Sequence, residues 1–97
     1  MKQKPIRSPK HLAYIRKLDC CVKKDRLNCN GTPVIAHHLT IVKGSRGMSQ
    51  KAGDDLTVPL CDMHHKTLHQ MGEKSFWKAW GIDAVLLSKL LWEQNEL

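Results

Sequence analysis

The chain contains no apolar run approaching the roughly 18 residues of a membrane-spanning helix. Its opening stretch, MKQKPIRSPK, is charged and polar with no apolar segment behind it. These two absences predict a protein with no membrane span and no secretory leader, working in the cytoplasm. Aromatic residues are scarce: Tyr14, Phe76, Trp77, Trp80 and Trp92 are all of them in 97 residues. A chain of this length buries about 60–70% of the surface its unfolded form exposes. With so few large rings, its one core is small and would gain from a covalent or metal staple. No internal repeat or low-complexity stretch is visible, and the length leaves room for a single domain.

Acidic residues are sparse in the first half. Residues 1–51 hold twelve basic and two acidic side chains, a balance of +10, whereas residues 52–97 hold four and seven, a balance of −3. A chain polarised in this way presents a positive potential that draws polyanions, of which nucleic acid is the commonest. Four cysteines are present: Cys20, Cys21, Cys29 and Cys61. In a reducing compartment clustered cysteines more often bind metal than form disulfides. The histidines favour metal. Five of the six fall in two tight groups, His37-His38 and His64-His65…His69, the second opening three residues after Cys61.

The pattern predicts an α+β domain over residues 8–97 behind a flexible basic arm at 1–7. Ser8 and Pro9 form a helix start, and Leu12, Ile15 and Leu18 give one helical face to about Asp19. Residues 20–33, with three cysteines, Asn30-Gly31 and Pro33, read as a loop or knuckle. Val34–Ala36 is a short strand delivering His37 and His38, residues 43–55 are a loop, and residues 56–59 are a second strand stopped by Pro59. Asp62 is expected to cap a helix running to Met71 and closed by Gly72. A helix over 73–80 follows, and a last one is capped by Asp83, with Val85, Leu86, Leu87, Leu90, Leu91 and Trp92 as its apolar face.

His65 and His69 are four apart on a predicted helix, so they share a face one turn apart and can share one cation. His37 and His38 at a strand end can approach the same point, one coordinating while the other faces a substrate. Cys61 and His64 form a C-x₂-H pair. With Cys21 and Cys29 they make a Cys₃His set, the closed tetrahedral complement of a structural zinc. Cys20 can stand in for Cys21, and spacing does not choose between them.

The run Ala36-His37-His38, a glycine- and lysine-bearing loop, Asp54-Asp55-Leu56, then Pro59-Leu60-Cys61-x₂-His64-His65-x₃-His69 resembles the HNH, or ββα-metal, endonucleases over about residues 20–70. The string GSRGMSQKAGDDLTVPLCDMHHKTLH, with the leading SPKHLAYIRKLDC, is most similar to the small phage and prophage recombination-enhancement (Ref) nucleases. The resemblance implies a ββα-metal core at about residues 34–71 with a zinc knuckle, flanked by an amino-terminal helix and carboxy-terminal helices. It also implies hydrolysis of DNA phosphodiester bonds to 5′-phosphate and 3′-hydroxyl ends.

Residue by residue, the resemblance implies that His37, His65 and His69 bind the catalytic divalent ion and that His38 is the general base. Asp55 stands where the family has an Asn that braces the loop and the base. His64 stands where many members have the fourth zinc cysteine, and the C-x₇-C knuckle is longer than the usual C-x₂-C. Lys43, Arg46 and Lys51 on the intervening loop would neutralise flanking phosphates, with the basic arm and first helix extending the track. No base-reading motif is evident, so little sequence specificity is expected. The cofactors expected are a structural Zn²⁺ and a catalytic ion that histidine ligation leaves open among Mg²⁺, Mn²⁺, Ni²⁺ and Zn²⁺. The partners expected are DNA and, from the Ref resemblance alone, a RecA filament. The sequence admits a monomer or a homodimer.

Two other readings compete. A non-catalytic, zinc-stabilised nucleic-acid-binding module would share the fold, but it has no use for a spare imidazole beside an unsaturated metal. Zinc deaminases and peptidases call for a glutamate beside the metal ligands, and no Glu precedes Glu73.

Overall fold

The structure, a computed structural model, describes residues 6–22, 33–40 and 53–96. Six elements follow in order: α1 (Pro9–Arg16), β1 (Val34–His38), β2 (Thr57–Cys61), α2 (Asp62–Met71), α3 (Glu73–Trp80) and α4 (Ala84–Glu96). The chain is thus α+β, with a two-stranded antiparallel sheet and four helices among the described residues. None of those helices is long and apolar enough to cross a membrane.

Helix α1 starts where the sequence places it. The Ser8 hydroxyl accepts from His11 N–H at 3.2 Å, and Pro9 fills the first helical position, where a missing N–H costs nothing. The helix ends at Arg16, short of Asp19, and buries His11 and Ile15. Strands β1 and β2 pair from Val34 opposite Cys61 to His38 opposite Thr57. Here one expectation fails: β2 does not stop at Pro59 but runs through it to Cys61. In an extended strand a residue's N and C=O point to the same side. The Pro59 carbonyl accepts from Cys21 N–H at 2.9 Å, so its ring nitrogen also faces outward from β1, and the ladder loses no donor.

Helix α2 is capped by Cys61, whose sulfur accepts from His64 N–H at 3.4 Å, and not by Asp62, which lies in the first turn. Gly72 ends it with φ 92°, and its N–H donates to the Leu68 carbonyl at 2.8 Å. Gly81 closes α3 at φ 65°, a conformation a β-carbon disfavours. Asp83 caps α4 as expected, accepting from Leu86 N–H at 3.1 Å.

All five residues of β2 are buried. Around Val58 and Leu60 pack Val22, Leu39, Leu68, Phe76, Trp77 and Ala84. Phe76 is fully enclosed, and truncating it to Ala would cost about 3–5 kcal/mol. The buried line of α4 differs from the predicted apolar face. Ala84 and Ser88 are buried and Leu86 and Leu90 stand about half exposed, while Val85 and Leu87 of the predicted face do pack against the core. Trp92 instead meets His11 edge-on at 4.8 Å, and Asn95 Nδ2 lies 2.9 Å from His11 Nδ1, which ties α4 to α1.

Candidate functional site

Strand β1 ends in two histidines whose side chains leave on opposite faces, as alternation requires. His37 is buried and faces helix α2. Its ring centroid lies 5.1 Å from that of His65 and 6.2 Å from that of His69. His65 and His69 sit one turn apart with ring centroids at 4.5 Å, and their Nε2 atoms are 3.1 Å apart. Two imidazole nitrogens bound to one ion at about 2.05 Å would stand about 2.9–3.3 Å apart for octahedral to tetrahedral angles, so this pair fits a shared cation. Burial, followed by the facing His37 and His69 rings, holds the His65 pKa below its ordinary value, which keeps a lone pair available at neutral pH.

The Nε2 of His37 is turned toward Glu73, 3.2 Å from Oε1 without hydrogen-bond alignment. Glu73 is buried at the start of α3. Its Oε1 accepts from Thr40 N–H at 3.0 Å and from the Thr40 hydroxyl at 2.6 Å, and its Oε2 accepts from Trp77 Nε1–H at 2.9 Å. Burial pushes this carboxyl up, but the adjacent His37 ring and the hydrogen bonds from Thr40 and Trp77 outweigh it and bring the pKa down to about 2.

His38, on the other face and partly exposed, donates from Nε2 to Asp54 Oδ1 at 2.8 Å. That bond leaves Nδ1 as the basic nitrogen of the neutral ring. Asp54 is itself held. Its Oδ2 accepts from Ser8 N–H at 2.7 Å, its own N–H donates to the Ile6 carbonyl at 2.8 Å, and its carbonyl accepts from the Thr57 hydroxyl at 2.9 Å. Arg7, largely exposed, places its guanidinium 3.8 Å from the same Oδ1. Burial pushes the Asp54 carboxyl up, yet the bonds from His38 and Ser8 and the charges of His38 and Arg7 prevail and hold it below its ordinary value. Residues 6 and 7, expected in a flexible basic arm, therefore reach Asp54, Ile6 through its backbone and Arg7 through the carboxylate that orients His38.

A second cluster lies where β2 turns into α2. One ligand atom each from Cys20, Cys61 and His64 falls within 4.8 Å of the other two, all three residues being buried. His64 Nδ1 is 3.1 Å from Cys61 Sγ and 3.6 Å from Cys20 Sγ. A tetrahedral zinc would set a sulfur–nitrogen separation of about 3.6 Å, so this donor set can hold a metal ion. The aromatic edges of Phe76 and Trp80 close over the His64 ring at 6.3 and 5.9 Å.

Set against expectation, the fold packs the rings of His37, His65 and His69 near one another and sends His38 the other way, but among the described residues only Cys20, Cys61 and His64 bring three ligand atoms within 4.8 Å of one another. Among the described residues, Asp54 and not Asp55 is the carboxylate in contact with His38. Cys20 joins Cys61 and His64 where Cys21 was the first choice. Cys21 remains close by, its thiol pushed up to about 12 by burial and by the neighbouring Cys20 and Cys61, against a backbone hydrogen bond that lowers it. Cys29, Lys43, Arg46 and Lys51 lie outside the described residues. Sequence reasoning missed Asp54 and Glu73. Adjacent aspartates carry no signal that separates them. Glu73 reads as an ordinary first-turn acid until the fold sets it against His37.

No curated protein and no solved structure matches the chain. One family model, described as "Protein of unknown function (DUF968)", matches residues 1–95 and so takes in both clusters and every element but the last residue of α4. The chain belongs to the DUF968 family.

Proposed function

We propose that the protein is a metal-dependent endonuclease of the HNH type, hydrolysing DNA phosphodiester bonds with little sequence specificity. The observation that carries this reading is the division of labour at the end of β1. His37 goes to the His65–His69 pair, and His38 goes to a buried carboxylate that leaves its Nδ1 free to accept a proton. A binding module has no need of a second imidazole poised in this way.

In the reaction His38 Nδ1 takes a proton from water, and the oxygen of that water forms the new bond to phosphorus as the bond to the 3′ oxygen breaks. Asp54 holds the ring in the required tautomer and stabilises the imidazolium. The cluster of His37, His65 and His69 would hold a divalent ion, which supplies charge relief for the phosphate and the leaving 3′ oxygen. Arg7, beside Asp54 and exposed, would neutralise a neighbouring phosphate. The Cys20, Cys61 and His64 cluster would hold the structural zinc, fastening the segment after α1 to the start of α2. A phage recombination role and a RecA filament as partner extend this reading from the Ref resemblance.

Supercoiled plasmid incubated at low salt with wild type or His38→Ala, in Mg²⁺, Mn²⁺ or EDTA, tests the proposal. Metal-dependent conversion to nicked or linear DNA that disappears in the variant is the expected result. Cutting that survives in the variant removes His38 as base. DNA binding with no cutting in any buffer, with or without RecA filaments, favours a zinc-stabilised binding module.

A further inference from the structure

Of the four helices among the described residues, α1 alone carries no Asp or Glu. Its outer face is basic. His11 and Ile15 turn inward, and the helical period puts Lys10, Arg16 and the C-cap residue Lys17 on the opposite half, all three exposed, around the small side chain of Ala13. None of the three forms an ion pair with a described carboxylate, whereas Lys66 on α2 is met by Asp62 at 3.2 Å. Asp54, at the start of α1, is taken up by Ser8, His38 and Arg7. Like charges gathered on one short face repel one another, and an anion with spaced charges relieves that repulsion.

We propose that Lys10, Arg16 and Lys17 form a phosphate track that docks the backbone of duplex DNA beside His38. The inference rests on the reading of DNA as the substrate and deepens it by naming where the duplex lies. Two features match. Lys10 and Lys17 are seven residues apart, about 10 Å along the helix axis. One strand of a duplex presents a phosphate about every 3.4 Å of its axis, so the face spans about three of them. The helix also starts beside the proposed base. Ser8, which caps it, donates its N–H to the carboxylate that holds His38, and the exposed Arg7 directly precedes that cap. A duplex on α1 thus continues the phosphate contact proposed for Arg7. Lysine and arginine contacts to phosphate fix position and register without reading bases, which agrees with little sequence specificity.

Fluorescence anisotropy on labelled short duplexes of two unrelated sequences tests the track. The full chain carries His38→Ala to prevent cutting, and KCl is varied over about 50–200 mM. Lys10→Ala, Arg16→Ala and Lys17→Ala combined should weaken binding alike for both sequences and flatten the slope of log affinity against log salt by about 2–3. The matched control combines Lys74→Ala, Lys78→Ala and Lys89→Ala, exposed on α3 and α4, and removes the same net charge. Its slope should stay at the parent value. All six sites are exposed and alanine favours helix, so both variants keep the fold, which circular dichroism checks. With His38 intact, the α1 variant should raise KM for plasmid cleavage and keep kcat. Equal flattening in the two triple variants overturns the track, since binding would then follow net charge. A slope untouched by the α1 substitutions overturns it too, while the DNA reading stands. A loss confined to single-stranded DNA overturns duplex docking. A parent chain that binds no DNA at any salt overturns both the track and the DNA reading.

Discussion

His38 Nε2 meets Asp54 Oδ1 at 2.8 Å on one face of β1, while on the other face His37 Nε2 stands 3.2 Å from Glu73 Oε1. One strand step therefore separates two imidazoles, each backed by its own buried carboxylate. The two carboxylates are anchored differently. Asp54 is held by the amino-terminal segment through Ile6 and Ser8, and Glu73 by Thr40 and Trp77. Neighbouring histidines that would otherwise be interchangeable are thereby given distinct surroundings, one inside the helix-facing cluster and one at the solvent edge.

Asp54→Asn should lower the cleavage rate constant by about 100-fold or more, within the range of about 10²–10⁴ that a positioned base supplies, with KM nearly unchanged. The amide can donate to His38 and so favour the wrong tautomer. Asp55→Asn should leave the rate close to wild type. Plasmid-nicking kinetics on both variants separate the two aspartates. A rate loss confined to Asp55→Asn would return the bracing role to that residue.

The elements were legible where local chemistry dictates them. Ser8-Pro9, Gly72, Gly81 and Asp83 mark helix ends at the residues observed, because caps and positive φ are properties of one or two residues. The histidine pairing on α2 followed from 3.6-residue periodicity. Features that depend on tertiary neighbours were not legible. Pro59 lies within a strand because Cys21 covers its outer edge, Ser88 is buried because α4 sits close to the sheet, and Glu73 matters because α3 folds back toward β1. The choice of Cys20 over Cys21 is of the same kind, since consecutive residues differ only in which way the chain turns.

Acid should uncover the Glu73 socket as a pH-dependent part of stability. The folded-state pKa of about 2 lies below the ordinary 4.5. The contribution is then fully present above about pH 4.5 and fades as pH falls toward 2. Between pH 7 and pH 3 the loss from this group is on the order of 2 kcal/mol. Asp54 acts in the same sense. Urea unfolding of wild type and Glu73→Gln at the two pH values, with no divalent ion added, isolates the Glu73 share. A stability difference that does not shrink in acid contradicts the assignment.

Metal content should divide the two adjacent cysteines. If the set holds an ion, Cys20→Ser, Cys61→Ser and His64→Ala each break it and should abolish metal binding there, with a stability loss of several kcal/mol. Cys21→Ser should keep the ion and melt near wild type. Elemental analysis of purified chains together with thermal melts reads this directly. Retention in Cys20→Ser with loss in Cys21→Ser would assign the ligand to Cys21.

Gly53 lies where the amino-terminal segment passes against the Asp54 turn. A β-carbon there would stand 2.8 Å from the Ile6 nitrogen, 3.2 Å from the Ile6 carbonyl oxygen and 2.6 Å from Asp55 Oδ1. The Asp55 side chain can swing aside. The Ile6 backbone cannot, because the Asp54 N–H binds its carbonyl and Ser8 N–H binds the Asp54 carboxylate. Gly53→Ala should cost about 1–3 kcal/mol through this overlap, lowering Tm by about 4–8 °C for each kcal/mol in a chain of this size. It should also slow cleavage, since the displaced segment holds the carboxylate that orients His38. Gly81→Ala is the control: its φ of 65° makes a β-carbon unfavourable by about 1–2 kcal/mol, but no atom lies within 4 Å of that position. The control should lose stability and keep the cleavage rate constant per folded chain. If Gly53→Ala cleaves as fast as Gly81→Ala at matched folded fraction, residues 6–8 serve stability alone.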